Sequence, residues 1–348
     1  MQPCSLLSLA TAVPPHVVVQ EDAKSLARKA WGGRPNLFEK LSTVFDNAGI
    51  AKRHLVAPPE WYERPHGWQD RNTIYLEAAE NLFERVAASA IEKAGLAATD
   101  INGVVTVSTT GIATPSLEAR VGPKLGLRPD VRRVPIFGLG CAGGVNGLAT
   151  AARLAAAEPG SNWLFVTVET CSISIRLDSD DPAAIVATAL FGDGAAAAIV
   201  RSGTHCLARI TGAAEKLWPD TQRIMGWQVE DPGLAVIFDR AIPPFIEEHM
   251  AAAADEMLAS MGSSRDEVDR LCCHPGGVKV IDAIETALEL PQGELNLERE
   301  VLNDYGNMSA PTVLFVLDRL IQRGLPENVM LTAFGPGFTC AGLLLEAP

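Results

Sequence analysis

Val134-Pro-Ile-Phe-Gly-Leu-Gly-Cys-Ala-Gly-Gly-Val-Asn-Gly-Leu-Ala149 is the stretch from which the rest of this chain is read. It opens as a short apolar run with the length of a buried strand, turns through Gly138 and Gly140, and continues from Gly143 to Ala157 as an Ala-rich run of helical character. Cys141 therefore stands at a strand-to-helix elbow. Unpaired amides and the positive end of the helix dipole favour a thiolate there, which predicts a pKa below the free thiol's value of about 8.5. Glycines on both sides let a carbonyl group approach the backbone closely, which a nucleophile needs and a core cysteine does not. A buried structural thiol is the ordinary fate of a lone cysteine, and the glycine frame is what sets Cys141 against it.

Working outward, apolar strand-like runs alternate with helical ones. Residues 5–13, Gly103 to Val107, Trp163 to Val168, Leu207 to Thr211, Leu234 to Phe238 and Val329 to Phe334 read as strands. Glu21 to Trp31, Leu37 to Asn47, Tyr75 to Ala94, Ser116 to Leu125, Ala183 to Leu190, Ile242 to Met261, Val278 to Leu288 and Asn307 to Leu320 read as helices. Lys52-Arg53-His54 reads as a polar turn, and the segment with Pro58, Pro59 and Pro65 as an extended surface stretch bearing Trp61, Tyr62 and Trp68. Phe191-Gly-Asp-Gly-(three residues)-Ala198 and Phe334-Gly-Pro-Gly-(three residues)-Ala341 share the pattern FGxGxxxA, offset by 334 minus 191, or 143 residues. Each closes a half with a similar order of elements, which predicts an internal duplication: residues 1–201 carrying the cysteine and residues 202–348 carrying the partners described below. Continuous apolar runs predict sheets buried on both faces beneath helices.

Composition bounds the function. The chain has 348 residues, 47% of them apolar, and a formal charge of −13 with no run of Lys or Arg longer than two residues, so neither a nucleic-acid footprint nor an anionic-membrane footprint is present. Its seven cysteines (Cys4, Cys141, Cys171, Cys206, Cys272, Cys273, Cys340) are scattered without a CxxC pair, as expected of reduced thiols in a cytoplasm rather than of a disulfide framework or a metal site. The first residues lack a basic leader, and no apolar run reaches the roughly 18 residues of a membrane span.

Two more polar residues stand where a strand or loop ends and a helix begins. His274 lies between Leu271-Cys272-Cys273 and Pro275-Gly276-Gly277, at the mouth of a sheet, and Asn307 opens a run of small residues in the position of a helix N-cap. His16, His54, His66, His205 and His249 have the surroundings of ordinary surface groups. A thiol, an imidazole and a carboxamide together describe carbon–carbon bond formation on thioesters. Cys141 would take the acyl group, and His274 with Asn307 would hold a thioester oxygen and then the enolate left when a malonyl thioester loses CO₂.

These residues also carry a resemblance. Gly138-Leu-Gly-Cys-Ala-Gly-Gly144, Leu190-Phe-Gly-Asp-Gly-Ala-Ala196, His274-Pro-Gly-Gly277, Tyr305-Gly-Asn-Met-Ser309 and Gly335-Pro-Gly-Phe338 resemble the type III polyketide synthases, the chalcone synthase-like branch of the thiolase superfamily, over nearly the whole chain. The resemblance implies an α/β fold of five layers, αβαβα, made of two duplicated halves. It also implies a homodimer, the triad Cys141, His274 and Asn307, and extension of an acyl-CoA starter with malonyl-CoA without an acyl carrier protein, metal or other cofactor.

Ser108 to Arg120 and Val168-Glu-Thr-Cys-Ser172 are most similar to bacterial alkylpyrone and alkylresorcinol synthases, which implies a long acyl-CoA starter and a pyrone or resorcinol product. Phe191 matches the gate between CoA tunnel and cavity, and Val236 stands where plant members carry a second gating phenylalanine, a change that widens the passage. Cys171, Ser174, Thr110 and Thr114 match cavity positions, as does the loop Gly335, Pro336, Gly337 and Phe338. Lys52, Arg53 and Lys279 match basic positions for the CoA phosphates. Other readings stand beside this one. Within the superfamily they are a β-ketoacyl synthase III and a tetrahydroxynaphthalene-type synthase using malonyl-CoA alone. From other classes they are a papain-like cysteine hydrolase, whose order Cys, His, Asn is the same, and a non-catalytic acyl-binding scaffold.

Overall fold

The structure is a computed structural model that describes residues 3–30, 42–176, 179, 181–203 and 207–348. Nine strands form one mixed sheet in the order Arg270–Cys273, Asn328–Gly335, Thr339–Glu346, Ala208–Leu217, Cys4–Ala12, Asp193–Arg201, Asn162–Thr170, Ile101–Val107, Arg132–Ile136. One pairing sequence occurs twice in it. Ile101–Val107 runs parallel to Asn162–Thr170, which is antiparallel to Asp193–Arg201, which is antiparallel to Cys4–Ala12. Arg270–Cys273, Asn328–Gly335, Thr339–Glu346 and Ala208–Leu217 repeat the same relations in the same order. The two sets join through a short antiparallel pairing, Cys4 with Ile210, Ser5 with Arg209 and Leu6 with Ala208. Among the described residues only the first set has an added edge strand, Arg132–Ile136. In the second, the helix Asn296–Tyr305 precedes the corresponding elbow.

Side-chain alternation explains the layers. Ala195, Ala197 and Ile199 face Leu82, Phe83 and Val86 of the outer helix Trp68–Lys93, while Ala196, Ala198 and Val200 face Val145, Leu148 and Ala152. In the second set Met330, Phe334 and Leu344 face Ile246, Met250 and Ile281 of the helices Ile242–Ser260 and Val278–Ala287. Leu331, Ala333 and Leu343 turn the other way, toward the core shared by Gly143–Ala157 and Thr312–Arg323. Helix, sheet, helix pair, sheet and helix therefore follow one another, and the two middle helices are covered from both sides. Such closeness needs glycine: a Cβ at Gly144 would stand 2.2 Å from the Ala310 carbonyl oxygen, and one at Gly147 2.4 Å from the Phe165 ring.

The structure departs from the sequence reading at three places. Lys52–Leu55 is a strand, antiparallel to His16–Val19, and not a polar turn. The aromatic segment is not extended: Pro59–Tyr62 is a helical turn with Tyr62 buried, and the long helix already starts at Trp68. The helix expected from Asn307 starts at Thr312, because Pro311 takes the N-cap position. Of the helix expected over Leu37–Asn47 only the piece Thr43–Asp46 is described; the rest, like Trp31, His205 and Cys206, lies outside the described residues. Cys4, Cys141, Cys171, Cys272, Cys273 and Cys340 are buried thiols outside any disulfide among the described residues, and no described helix is long and apolar enough to cross a membrane.

Candidate active site

Cys141 occupies a 3₁₀ turn, Gly140–Ala142, that runs directly into the helix Gly143–Ala157. Gly140 takes a φ of +48° to make that turn. The side chain is 7% exposed, and burial pushes the thiol up to about 12; its hydrogen bond to the Ser309 hydroxyl lowers it, and the nearby Glu169 carboxylate raises it again. The lowered pKa expected at an elbow is thus overturned in the free protein. Removing a thiolate from water outweighs the helix dipole, whose effect is modest.

A chain of hydrogen bonds links the three residues singled out in the sequence. Cys141 Sγ donates to Ser309 Oγ at 3.4 Å, and the Ser309 amide donates to Asn307 Oδ1 at 2.8 Å. Asn307 Nδ2 donates to the Gly276 carbonyl at 3.0 Å, and the Gly276 amide donates to the His274 carbonyl, also at 3.0 Å. Asn307 is therefore no helix cap. Its side chain closes a tight local turn around Ser309, which has a φ of +59°, and holds the Pro-Gly-Gly turn with one amide hydrogen while the second stays available. His274 is anchored through its backbone, whose amide donates to the Thr332 carbonyl at 2.9 Å, but both ring nitrogens are buried without a hydrogen-bond partner among the described residues. Burial pulls the imidazole down to about 3, which holds it neutral at physiological pH.

From the other side the loop after Asn328–Gly335 presses on the nucleophile's turn. A Cβ at Gly335 would lie 2.6 Å from Ala142 Cβ and 2.7 Å from the Leu139 carbonyl oxygen, and one at Gly140 would lie 2.7 Å from Pro336 Cδ. Backbone from both halves thus walls the sulfur.

The same architecture occurs in known proteins. The pattern for the N-terminal domain of chalcone and stilbene synthases matches residues 2–204, and that for the C-terminal domain matches residues 209–347. The chain belongs to the chalcone and stilbene synthases, the type III polyketide synthases. It is 36% identical to a 1,3,6,8-tetrahydroxynaphthalene synthase of Streptomyces peucetius subsp. caesius, covering 98% of this chain and 93% of that one. It is 33% identical to a putative chalcone synthase of Bacillus subtilis strain 168, covering 98% of each. Among solved structures, the 1,3,6,8-tetrahydroxynaphthalene synthase of Streptomyces coelicolor A3(2), a bacterial type III polyketide synthase, superposes with a TM-score of 0.93 at 31% identity over 99% of both chains. A polyketide synthase from the brown alga Ectocarpus siliculosus gives 0.93 at 28% identity over 99% of this chain and 98% of that chain.

Within this type III polyketide synthase the remaining expected residues divide. Phe191 and Cys171 are buried together with Ala187, against Trp227, Val236 and Phe238. The rings of Phe238 and Trp227 stand 5.6 and 6.1 Å from that of Phe191, so the small side chain at Val236 does not leave this wall without aromatic rings. Ser174 Oγ donates to the Cys171 carbonyl, and Thr110 Oγ1 donates to Glu169; beside these two residues lies a cavity of about 10 Å³, room for roughly one water. Gly337 accepts a hydrogen bond from Thr221 Oγ1.

Three placements correct the sequence reading. Thr114 is exposed, on a loop that crosses the outside of the long helix where Asn72 and Ile112 exchange two hydrogen bonds. Phe338 is a core residue, packed on Phe334, Phe245 and Trp218. Arg53 is 1% exposed and cannot meet a CoA phosphate at the surface, whereas Lys52 and Lys279 are exposed.

Sequence reasoning passed over Glu169 and Asp193, although both stand inside quoted motifs. Glu169 accepts from the Thr109 amide and from Thr110 Oγ1, and burial raises it to about 7; those hydrogen bonds lower it again. Asp193 accepts from the Ser172 amide at 2.7 Å, the Ser172 hydroxyl and the Val56 amide at 2.8 Å, and burial raises it too to about 7. A charged residue inside an otherwise apolar strand end was the available signal.

Proposed function

We propose that the chain loads an acyl group from a CoA thioester on Cys141 and extends it by decarboxylative condensation with malonyl-CoA. Cys141 Sγ attacks the thioester carbonyl as its proton passes to His274, and CoA leaves with that proton. Malonyl-CoA then loses CO₂, and the electron pair of the broken carbon–carbon bond becomes an enolate whose oxygen is held by His274 and the free amide hydrogen of Asn307. The enolate carbon attacks the acyl carbonyl, forming the new bond and releasing Cys141. One observation carries this reading: the imidazole of His274 is buried with neither nitrogen bonded among the described residues, and the Asn307 carboxamide is held between the Ser309 amide and the Gly276 carbonyl of the same Pro-Gly-Gly turn. A hydrolase would use the Asn to orient the His ring, and here the amide bonds a backbone carbonyl instead.

For the starter, the small side chains Cys171, Ser174, Thr110 and Val236 favour a bulky or long acyl-CoA, closed to an alkylpyrone or alkylresorcinol, because each buried methylene contributes about 0.8 kcal/mol. A second reading, malonyl-CoA as starter as well as extender, is favoured by the similarity to tetrahydroxynaphthalene synthases. Incubation with labelled malonyl-CoA alone and with added lauroyl-CoA separates the two. An alkylated pyrone or resorcinol formed only with lauroyl-CoA supports the first, an aromatic product from malonyl-CoA alone supports the second, and free fatty acid without condensation sinks both.

Lys52 and Lys279 are the surface cations proposed for the CoA phosphates; no carrier protein, metal or other cofactor is invoked, and a reducing cytoplasm suits a free nucleophilic thiol. A homodimer is proposed from the sheet's edge strand Arg132–Ile136, beside which Phe137 is 61% and Ile112 57% exposed. Light scattering should give twice the chain mass for the native protein and a monomer for Phe137→Asp; a native monomer would refute the assembly.

A further inference from the structure

Arg53 holds a buried charge that the chemistry above leaves unused. Its strand is fixed on both sides, by pairing of Arg53 with Val18, by the Ala51 amide on the Asn303 carbonyl at 2.9 Å, and by the Val56 amide on Asp193. From that platform Nη1 donates to the Thr188 carbonyl at 2.6 Å and the Phe191 carbonyl at 3.3 Å, at the negative end of the helix Pro182–Leu190. Those carbonyls flank a two-bond bridge to the catalytic loop. The Asn307 amide donates to the Leu190 carbonyl at 2.8 Å, and the Gly192 amide donates to the Asn307 carbonyl at 3.0 Å.

The stem of Arg53 packs at the same spot. A Cβ at Gly192 would come 3.4 Å from Arg53 Cβ and 2.2 Å from the Tyr305 carbonyl oxygen; one at Gly306 would come 3.6 Å from Arg53 Cβ and 2.7 Å from the Leu190 carbonyl oxygen. Gate, catalytic loop and arginine stem are therefore packed together at one point. Nε and Nη2 have no hydrogen-bond partner among the described residues, although the Asp193 carboxylate stabilises the charge from nearby. An arrangement serving stability alone is met as well or better by an apolar side chain.

We propose that Arg53 is a positioning residue for condensation: it fixes the backbone of Phe191 and, through the bridge, the aim of the Asn307 amide. The inference rests on the condensing reading above. Steps that need the Asn307 amide depend on Arg53, and the nucleophilicity of Cys141 does not.

The test compares two readouts in the full chain, iodoacetamide alkylation of Cys141 and decarboxylation of malonyl-CoA, for the wild type, Arg53→Lys and Gly306→Ala. Lysine keeps the charge without the planar fork, and alanine at 306 wedges the bridge while Arg53 stays. Both variants should alkylate within about twofold of wild type and lose about 10- to 100-fold in decarboxylation kcat, with KM for malonyl-CoA nearly unchanged. Decarboxylation within about twofold of wild type, or a fall of both readouts in the same proportion as folded protein is lost, overturns the proposal. A wild-type protein that does not decarboxylate malonyl-CoA overturns the condensing reading and this inference with it; wild-type turnover with unsplit variants overturns this inference alone.

Discussion

The two FGxG loops of this duplicated fold each support the residue proposed for catalysis in the other half, by different means. Phe191-Gly192 in the first half is hydrogen-bonded to Asn307 in the second, while Gly335-Pro336 in the second half is pressed against the Cys141 turn in the first. At the third position the first loop carries Asp193, whose carboxylate is buried and bonded to Ser172 and Val56, and the second carries Pro336, whose ring fills space against Gly140. A group that must aim a hydrogen bond is braced by hydrogen bonds; a sulfur that must only be reached is braced by contact. The two loops share one pattern, and the residue at its third position differs in chemistry between the two sides.

The contact side should be the more brittle. Gly335→Ala places a methyl group into Ala142 and Leu139, and overpacking of this kind costs about 1–3 kcal/mol. If the turn shifts by even ~1 Å, condensation should fall about 100-fold. Alkylation of Cys141 should fall in parallel, and an unchanged rate would show that the contact is idle. On the bonded side, Asp193→Asn exchanges an acceptor oxygen for a donor, costs about 1–3 kcal/mol, and should reduce condensation about tenfold while leaving alkylation intact.

The elbow at Cys141, the small residues after it and the FGxG repeat were legible because each is a local pattern with a local cause. Burial of Arg53 was not, since the carbonyls that satisfy it belong to Thr188 and Phe191, far along the chain, and two adjacent cations look the same in a turn as in a strand. The register against His16–Val19 turns Arg53 inward and Lys52 outward. Asn307 was read as a helix cap because the run of small residues continues smoothly into the helix, and only Pro311 and the positive φ of Ser309 mark the loop. The thiol's pKa went the wrong way because the helix end is visible in the sequence and the desolvation is not.

Glu169 sharpens the comparison, being a carboxyl on the nucleophile's side that raises the Cys141 pKa. Glu169→Gln removes that repulsion, so the pH profile of Cys141 alkylation should move to lower pH; a shift upward would contradict the geometry. Glu169 and Asp193 are both raised to about 7 in the folded chain, above their unfolded values near 4. Their contribution to stability is therefore full below the unfolded pKa and lost as pH rises through about 7. The melting temperature should decline between pH 5 and pH 8, and less so in Glu169→Gln; a rise over that range would reverse the assignment. The smallest effects are expected at the surface, where Lys52→Ala and Lys279→Ala, one from each half, should each raise KM for CoA thioesters by about twofold, less at high salt.

The central claim is that the second half supplies the groups that hold developing negative charge while the first supplies the nucleophile. Asn307→Ala tests it most directly, with alkylation of Cys141 and malonyl-CoA decarboxylation measured on one preparation. Retained alkylation with decarboxylation reduced about 100-fold or more is the predicted result; decarboxylation at the wild-type rate would contradict it.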